Sequence, residues 1–176
     1  MVTSCTALLI VDVQTGSFHE KKSLYRGTEL LKNIQLLISK ARLAQTLIIY
    51  MKYNDKPGTP LERGTSGWEI HASIAPLEKD IIFEKNHPDS FHKTKLQQEL
   101  DARNIKRIVI TGIQSEVCID ATCRSAYSLG YDIILVKDGH STYDSPILSA
   151  SQIIDHHNHV LGQWFVDVKK ADTVEF

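Results

Sequence analysis

The stretch RIVITGIQSEVCIDATCRSAYSLGYDIILVKD, residues 107–138, decides how the chain is read. It opens on a short β-branched run broken at Thr111-Gly112, continues over 117–129 with apolar positions at helical spacing, and closes on a second β-branched run over 131–138. Two nearly continuous apolar strands joined by a helix imply a parallel pair, because parallel strands need a crossover and are buried on both faces.

The alternation extends outward in both directions. ALLIVDV (7–13), TLIIYM (46–51), DIIFEK (80–85) and WFVDV (164–168) read as further strands, and 28–44, 93–103 and 146–161 as further helices. Leu30, Ile34, Leu37, Ile38 and Ala41 mark the apolar stripe of the first helix. The expectation is one domain over residues 1–176: a three-layer α/β/α fold with a six-stranded, mostly parallel, Rossmann-like sheet and helices on both faces. Residues 52–79 carry Pro, Gly and Thr without periodicity, and a loop of that length is expected to be a lid or pocket wall.

Composition narrows the function classes. Lys plus Arg number 20 against 21 Asp plus Glu, without long runs of like charge, which argues against nucleic acid as a partner. A hydrophobic fraction of 42% predicts a packed core. The first apolar run is short, follows no basic segment and stops at an acid, so it reads as a strand rather than a signal peptide, and no stretch is long enough to span a membrane. Cys5, Cys118 and Cys123 form an odd set without a CxxC pair, as expected of free thiols in a reducing, cytoplasmic setting.

In open parallel sheets ligands bind beyond the carboxyl ends of the strands, and three such ends carry chemistry. Asp12 follows ALLIV, either as a catalytic acid or as a cap for the next helix. Lys85 ends the third strand beside Glu84, so one of the two charges turns inward, and a buried ammonium needs an acid. Cys118 falls near the first turn of the helix after the fourth strand. There free N–H groups and a nearby lysine would favour a thiolate, although a lone cysteine also reads as a buried packing residue. Together the three supply a nucleophile, an acid and a cation on one side of the sheet.

On LLIVDVQTGSF (8–18), GTSGWEIHASIAP (64–76), FEKNHPDSFHKTKLQQEL (83–100) and ITGIQSEVCIDATCRSAYSLGYDIILVKDGHST (110–142), in that order, the chain resembles the isochorismatase-like cysteine hydrolases. That superfamily includes nicotinamidases, N-carbamoylsarcosine amidase and streptothricin hydrolase. The resemblance implies a catalytic triad of Asp12, Lys85 and Cys118, a cis peptide at Ile113–Gln114, and an oxyanion hole from the backbone N–H groups of Gln114 and Cys118. It implies hydrolysis of a C–N bond in a small amide, ureido or lactam substrate through a thioester, without a cofactor. Motif position makes Phe18, Trp68, Phe91 and Tyr143 candidate pocket walls, with Gln14 and Gln114 near the thiol, although the aromatics could instead be core or interface residues.

Nicotinamidases carry a metal-binding Asp-x-His set after the second strand. This chain has YMKYNDKPGTP (50–60) there, and Asp55 with His71 is a poor ligand set, so no metal is expected. His156, His157 and His159 are expected in packing or at a subunit interface, since adjacent helical residues face different ways. The resemblance also suggests a homodimer or homotetramer, built on Trp164-Phe165 or on the 52–79 loop. Two alternatives stand beside the amidohydrolase: vinyl ether hydrolysis of the isochorismatase kind, against which Cys118 argues, and a non-catalytic oligomeric scaffold of the same fold.

Overall fold

The computed structural model describes residues 5–18 and 23–176. The first four residues of the N-terminal run therefore lie outside the described residues. The elements are β1 (Thr6–Val11), α1 (Gly27–Leu43), β2 (Leu47–Tyr53), β3 (Ile81–Lys85), α2 (Leu96–Ala102), β4 (Arg107–Ile113), α3 (Asp120–Ser128), β5 (Asp132–Ser141), α4 (Ala150–Trp164) and β6 (Asp167–Lys169).

All six strands pair in parallel, in the order β3-β2-β1-β4-β5-β6. Every residue of β1 is buried, and its side chains alternate between two cores. Ala7, Leu9 and Val11 meet the layer that includes Leu96 and Leu100 of α2, Cys123 and Ala126 of α3, and Leu161 of α4. Leu8 and Ile10 meet Leu30, Ile34, Leu37 and Ala41 of α1, beside Ala171 and Val174 near the C-terminus. The three layers are those expected from the sequence, and the sheet is wholly rather than mostly parallel.

Several boundaries differ from the expectation, three of them near the site or the sheet edge. The 146–161 helix starts at Ala150, because Ser149 and Gln152 form a reciprocal capping box. It then runs through Trp164, which removes the aromatic start of the expected 164–168 strand and leaves a three-residue edge strand. Between β4 and α3 the chain first makes a wide π-helical turn, Ser115–Ile119. The long loop is not featureless: β2 extends to Tyr53, and Ala72–Ile74 forms a 3-10 turn.

The strand order reverses between β1 and β4, so their carboxyl ends diverge into a crevice. At that point the two backbones lie against each other. A Cβ on Gly112, whose φ is +133°, would sit 2.1 Å from the Val11 carbonyl oxygen.

Candidate active site

The crevice opens into a cavity of about 300 Å³ lined by Asp12, Tyr53, Asp55, Ile113, Gln114 and Cys118, among others. Each of these follows or ends a strand. Asp12 comes directly after β1 with φ 55°, a left-handed conformation that turns its carboxylate away from the strand's alternation. Gln14 N–H donates back to the Asp12 carbonyl at 3.0 Å and holds that bend.

Lys85 ends β3 and is buried, while Glu84 faces outward and pairs with Arg63 at 2.7 Å. The Lys85 ammonium stands 2.6 Å from Asp12 Oδ2 and donates to the carbonyls of His87 at 3.1 Å and Pro88 at 3.0 Å. An ammonium has three donors, so Lys85 is fixed in place. Burial raises the Asp12 pKa, and the positive charge of Lys85 offsets only part of that rise. Burial works against the Lys85 charge, yet the carboxylate beside it leaves the ammonium's pKa raised.

Cys118 is the fourth residue of the π-helical turn and lines the same cavity as Asp12, and the charges of Asp12 and Lys85 both act on its thiol. The expectation of a lowered thiol pKa is corrected here. Burial and the negative charge of Asp12 outweigh Lys85 and push Cys118 up to about 12, so the resting group is a thiol beside a base. Cys123 is buried in the core and Cys5 is exposed.

The frame around the thiol is made of buried hydroxyls. Ser90 and Thr122, both fully buried, bond each other at 2.9 Å and tie α3 to the loop that carries the Lys85 acceptors. Ser115 Oγ meets His140 Nδ1 at 2.7 Å, and His140 Nε2 meets Asn158 Oδ1 at 3.0 Å. Burial lowers the His140 pKa to about 4, so the ring is neutral, accepts from Ser115 and donates to Asn158. The peptide bond Ile113–Gln114 is cis, and the Gln114 carbonyl accepts from the N–H groups of Val117 and Ile119 at 3.2 and 3.1 Å.

The structure brings Asp12, Lys85, Gln114 and Cys118 together and puts the other named residues elsewhere. Gln14 is fully buried, and its carboxamide donates to the carbonyls of Tyr53 at 3.0 Å and Trp68 at 2.8 Å and accepts from Tyr53 N–H at 2.9 Å. It fastens the long loop and does not line the cavity. Trp68 lies over Lys52, whose ammonium is 3.2 Å from the ring centroid, and donates to Asn54 at 2.7 Å. Phe18 packs on His71 at 4.7 Å, Phe91 stacks on Tyr131 at 5.9 Å, and Tyr143 donates to the Ser17 carbonyl at 2.6 Å. None of these four aromatics is in the cavity lining, because each is drawn into a core or loop contact.

Tyr53, Asp55, Leu61 and Val117 line it instead. The signal for the first two was present in the sequence, since they come within four residues of the second apolar run, at the kind of strand end where ligands bind. Asp55 lines the cavity whereas His71 bonds Ser73 and packs on Phe18, and among the described residues no three metal-ligating side chains converge. His157 bonds Asp120 at 3.2 Å and so packs α4 on α3. No helix among the described residues is long and apolar enough to cross a membrane.

Fold and site together define a doubly wound α/β domain with a thiol-centred cavity at its switch point. The chain belongs to the isochorismatase family, whose isochorismatase domain matches residues 6–156. It is 34% identical over 140 residues to a streptothricin hydrolase of Streptomyces noursei, covering 80% of this chain but 51% of that protein. The chain thus spans about half the length of that relative. A secreted isochorismatase effector of Verticillium dahliae is 32% identical over 86% of this chain and 80% of its own length. The crystal structure of a cysteine hydrolase from Pseudomonas syringae pv. phaseolicola superposes with a TM-score of 0.87 at 25% identity, covering 95% of this chain and 89% of that one.

Proposed function

We propose that the protein hydrolyses a C–N bond in a small amide, ureido or lactam substrate, with Cys118 as nucleophile, Asp12 as proton shuttle and Lys85 as the cation that holds Asp12. The supporting observation is the meeting of a thiol with a buried, raised-pKa carboxylate clamped at 2.6 Å by a fixed ammonium. A thiol pushed up to about 12 needs a base to become nucleophilic, and raising the carboxylate pKa narrows the gap between the two.

Asp12 takes the Cys118 proton as Sγ bonds to the substrate carbonyl carbon, and the oxyanion is held by the N–H groups of Gln114 and Cys118. Collapse breaks the C–N bond, and Asp12 returns its proton to the departing nitrogen, leaving a thioester and a free amine. Water then attacks the thioester with Asp12 as base. The second collapse releases the carboxylic acid, and Cys118 recovers its proton from Asp12. The net change is one water consumed per bond cleaved. The three free cysteines fit a cytoplasmic, reducing setting, and a homodimer or homotetramer would cover the exposed Ile147 and Trp164.

The test is amine or ammonia release from a panel of small amides, ureido compounds and lactams (with ring opening followed for the lactams), comparing native protein with Cys118→Ala. Turnover lost in the variant supports the hydrolase. Turnover that survives in Cys118→Ala removes the thioester from the mechanism, and an inert panel together with an inert Cys118 favours the scaffold.

A further inference from the structure

The cavity contains a charge that the reaction does not use. Asp12 and Lys85 offset one another, and the neighbouring basic side chains are engaged: Lys52 with Glu69 at 3.0 Å and Arg63 with Glu84 at 2.7 Å. Asp55, also in the cavity lining, has no ion-pair partner among the described residues. Lys56, next to it in sequence, is exposed and is not part of the lining.

The carboxylate is also held in position. Asp55 N–H donates to the Leu61 carbonyl at 3.1 Å, and Oδ1 accepts from Lys56 N–H at 2.7 Å, so the loop fixes the side chain while Oδ2 has no donor among the described residues. Its other neighbours in the lining, Tyr53, Leu61, Pro88 and Val117, carry no formal charge. A half-buried carboxylate on a pocket wall repels anions and favours a cation or a multiple N–H donor.

We infer that Asp55 is a specificity-determining residue that selects substrates carrying an ammonium or guanidinium group in addition to the scissile carbonyl. This rests on Cys118 being the reactive centre. With a cavity of about 300 Å³, the preferred substrate is a small cationic amide or ureido compound.

Charged thiol reagents test the inference before any substrate is identified. Native protein and Asp55→Asn are treated with trimethylammonioethyl or sulfonatoethyl methanethiosulfonate, and the rate at Cys118 is read by peptide mass spectrometry. Each rate is divided by that of mercaptoethanol with the same reagent. The expected result is a cation preference of about tenfold or more in the native protein, largely lost in Asp55→Asn. The preference should also shrink with added salt in the native protein, a readout that does not depend on the variant folding. Equal normalised rates, or a preference that Asp55→Asn or salt leaves intact, would overturn the assignment even if neutral amides are hydrolysed. A Cys118 that reacts with neither reagent would overturn it together with the hydrolase reading, since a thiol closed to small reagents is closed to substrate. A clear cation preference with no Cys118-dependent turnover of cationic amides would uphold Asp55 as the cation-selecting wall and count against the hydrolase reading and, with it, against an amide or ureido compound as the ligand.

Discussion

Lys85 is the residue on which the site's electrostatics turn, because it is a buried cation with every donor occupied. Removing it strands the Asp12 charge, so Lys85→Met should destabilise the fold by about 3–5 kcal/mol in urea titrations. Adding Asp12→Asn should return part of that loss, as the orphaned charge goes with it. The thiols predict an alkaline signature. In the fold Cys118 keeps its proton to about 12, whereas an unfolded thiol ionises near 9.0, so its contribution is complete below 9.0 and is lost as pH climbs toward 12. Cys123, raised by burial, acts in the same direction. Cys118→Ala should therefore flatten the fall of unfolding free energy over that range, by up to about 1.4 kcal/mol per pH unit. The acidic limb of amide turnover should lie above the ordinary carboxylate value of 3.8, since Asp12 must lose its proton before it can act as base. The meeting of Asp12, Lys85 and Cys118 was legible in the sequence because all three sit at or just after strand ends inside long motifs. The aromatic wall was not, because Phe18, Trp68, Phe91 and Tyr143 are placed by contacts distant in sequence that no local pattern encodes.

At the level of elements, the loop between β2 and β3 depends on close fits that were invisible in its composition. Gln14 bridges it from the chain just after β1, and a Cβ on Gly16 or Gly67 would come within 2.3 or 2.1 Å of the Pro60 carbonyl oxygen. Gln14→Ala leaves buried acceptors and a donor unmatched, and should cost about 1–3 kcal/mol for each polar group left without a partner. It should also expose residues 54–80 to limited proteolysis while the sheet stays folded. The start of α4 was readable, since Ser149 followed by Gln152 is a capping-box spacing, but its end was not, because the β-branched and aromatic content of WFVDV reads as strand. The observed end is held by the Leu161 carbonyl, which accepts from the N–H groups of Phe165 at 2.8 Å and Val166 at 3.1 Å and so carries the helical bonding through Trp164.

For the molecule as a whole, strand order sets the gradient of stability. β1 and β4 have neighbours on both sides and are buried almost throughout, whereas β3 alternates in exposure and β6 has three residues. Amide hydrogen exchange should be slowest in β1 and β4 and fastest in β6, with β3 faster than β2. The parallel architecture could be read from alternating strands and helices, but not the order of the strands, which depends on pairings between residues far apart in sequence. That order also bears on how the protein can change. The thiol, the acid and the ammonium are anchored in strand ends and in the chain immediately after them, while much of the outer wall belongs to a loop clipped on through Gln14, Gly16 and Gly67. A lineage that keeps those clips can exchange the stretch around Asp55 as a removable faceplate and reshape what the cavity admits without disturbing the thiol, acid and ammonium beneath it.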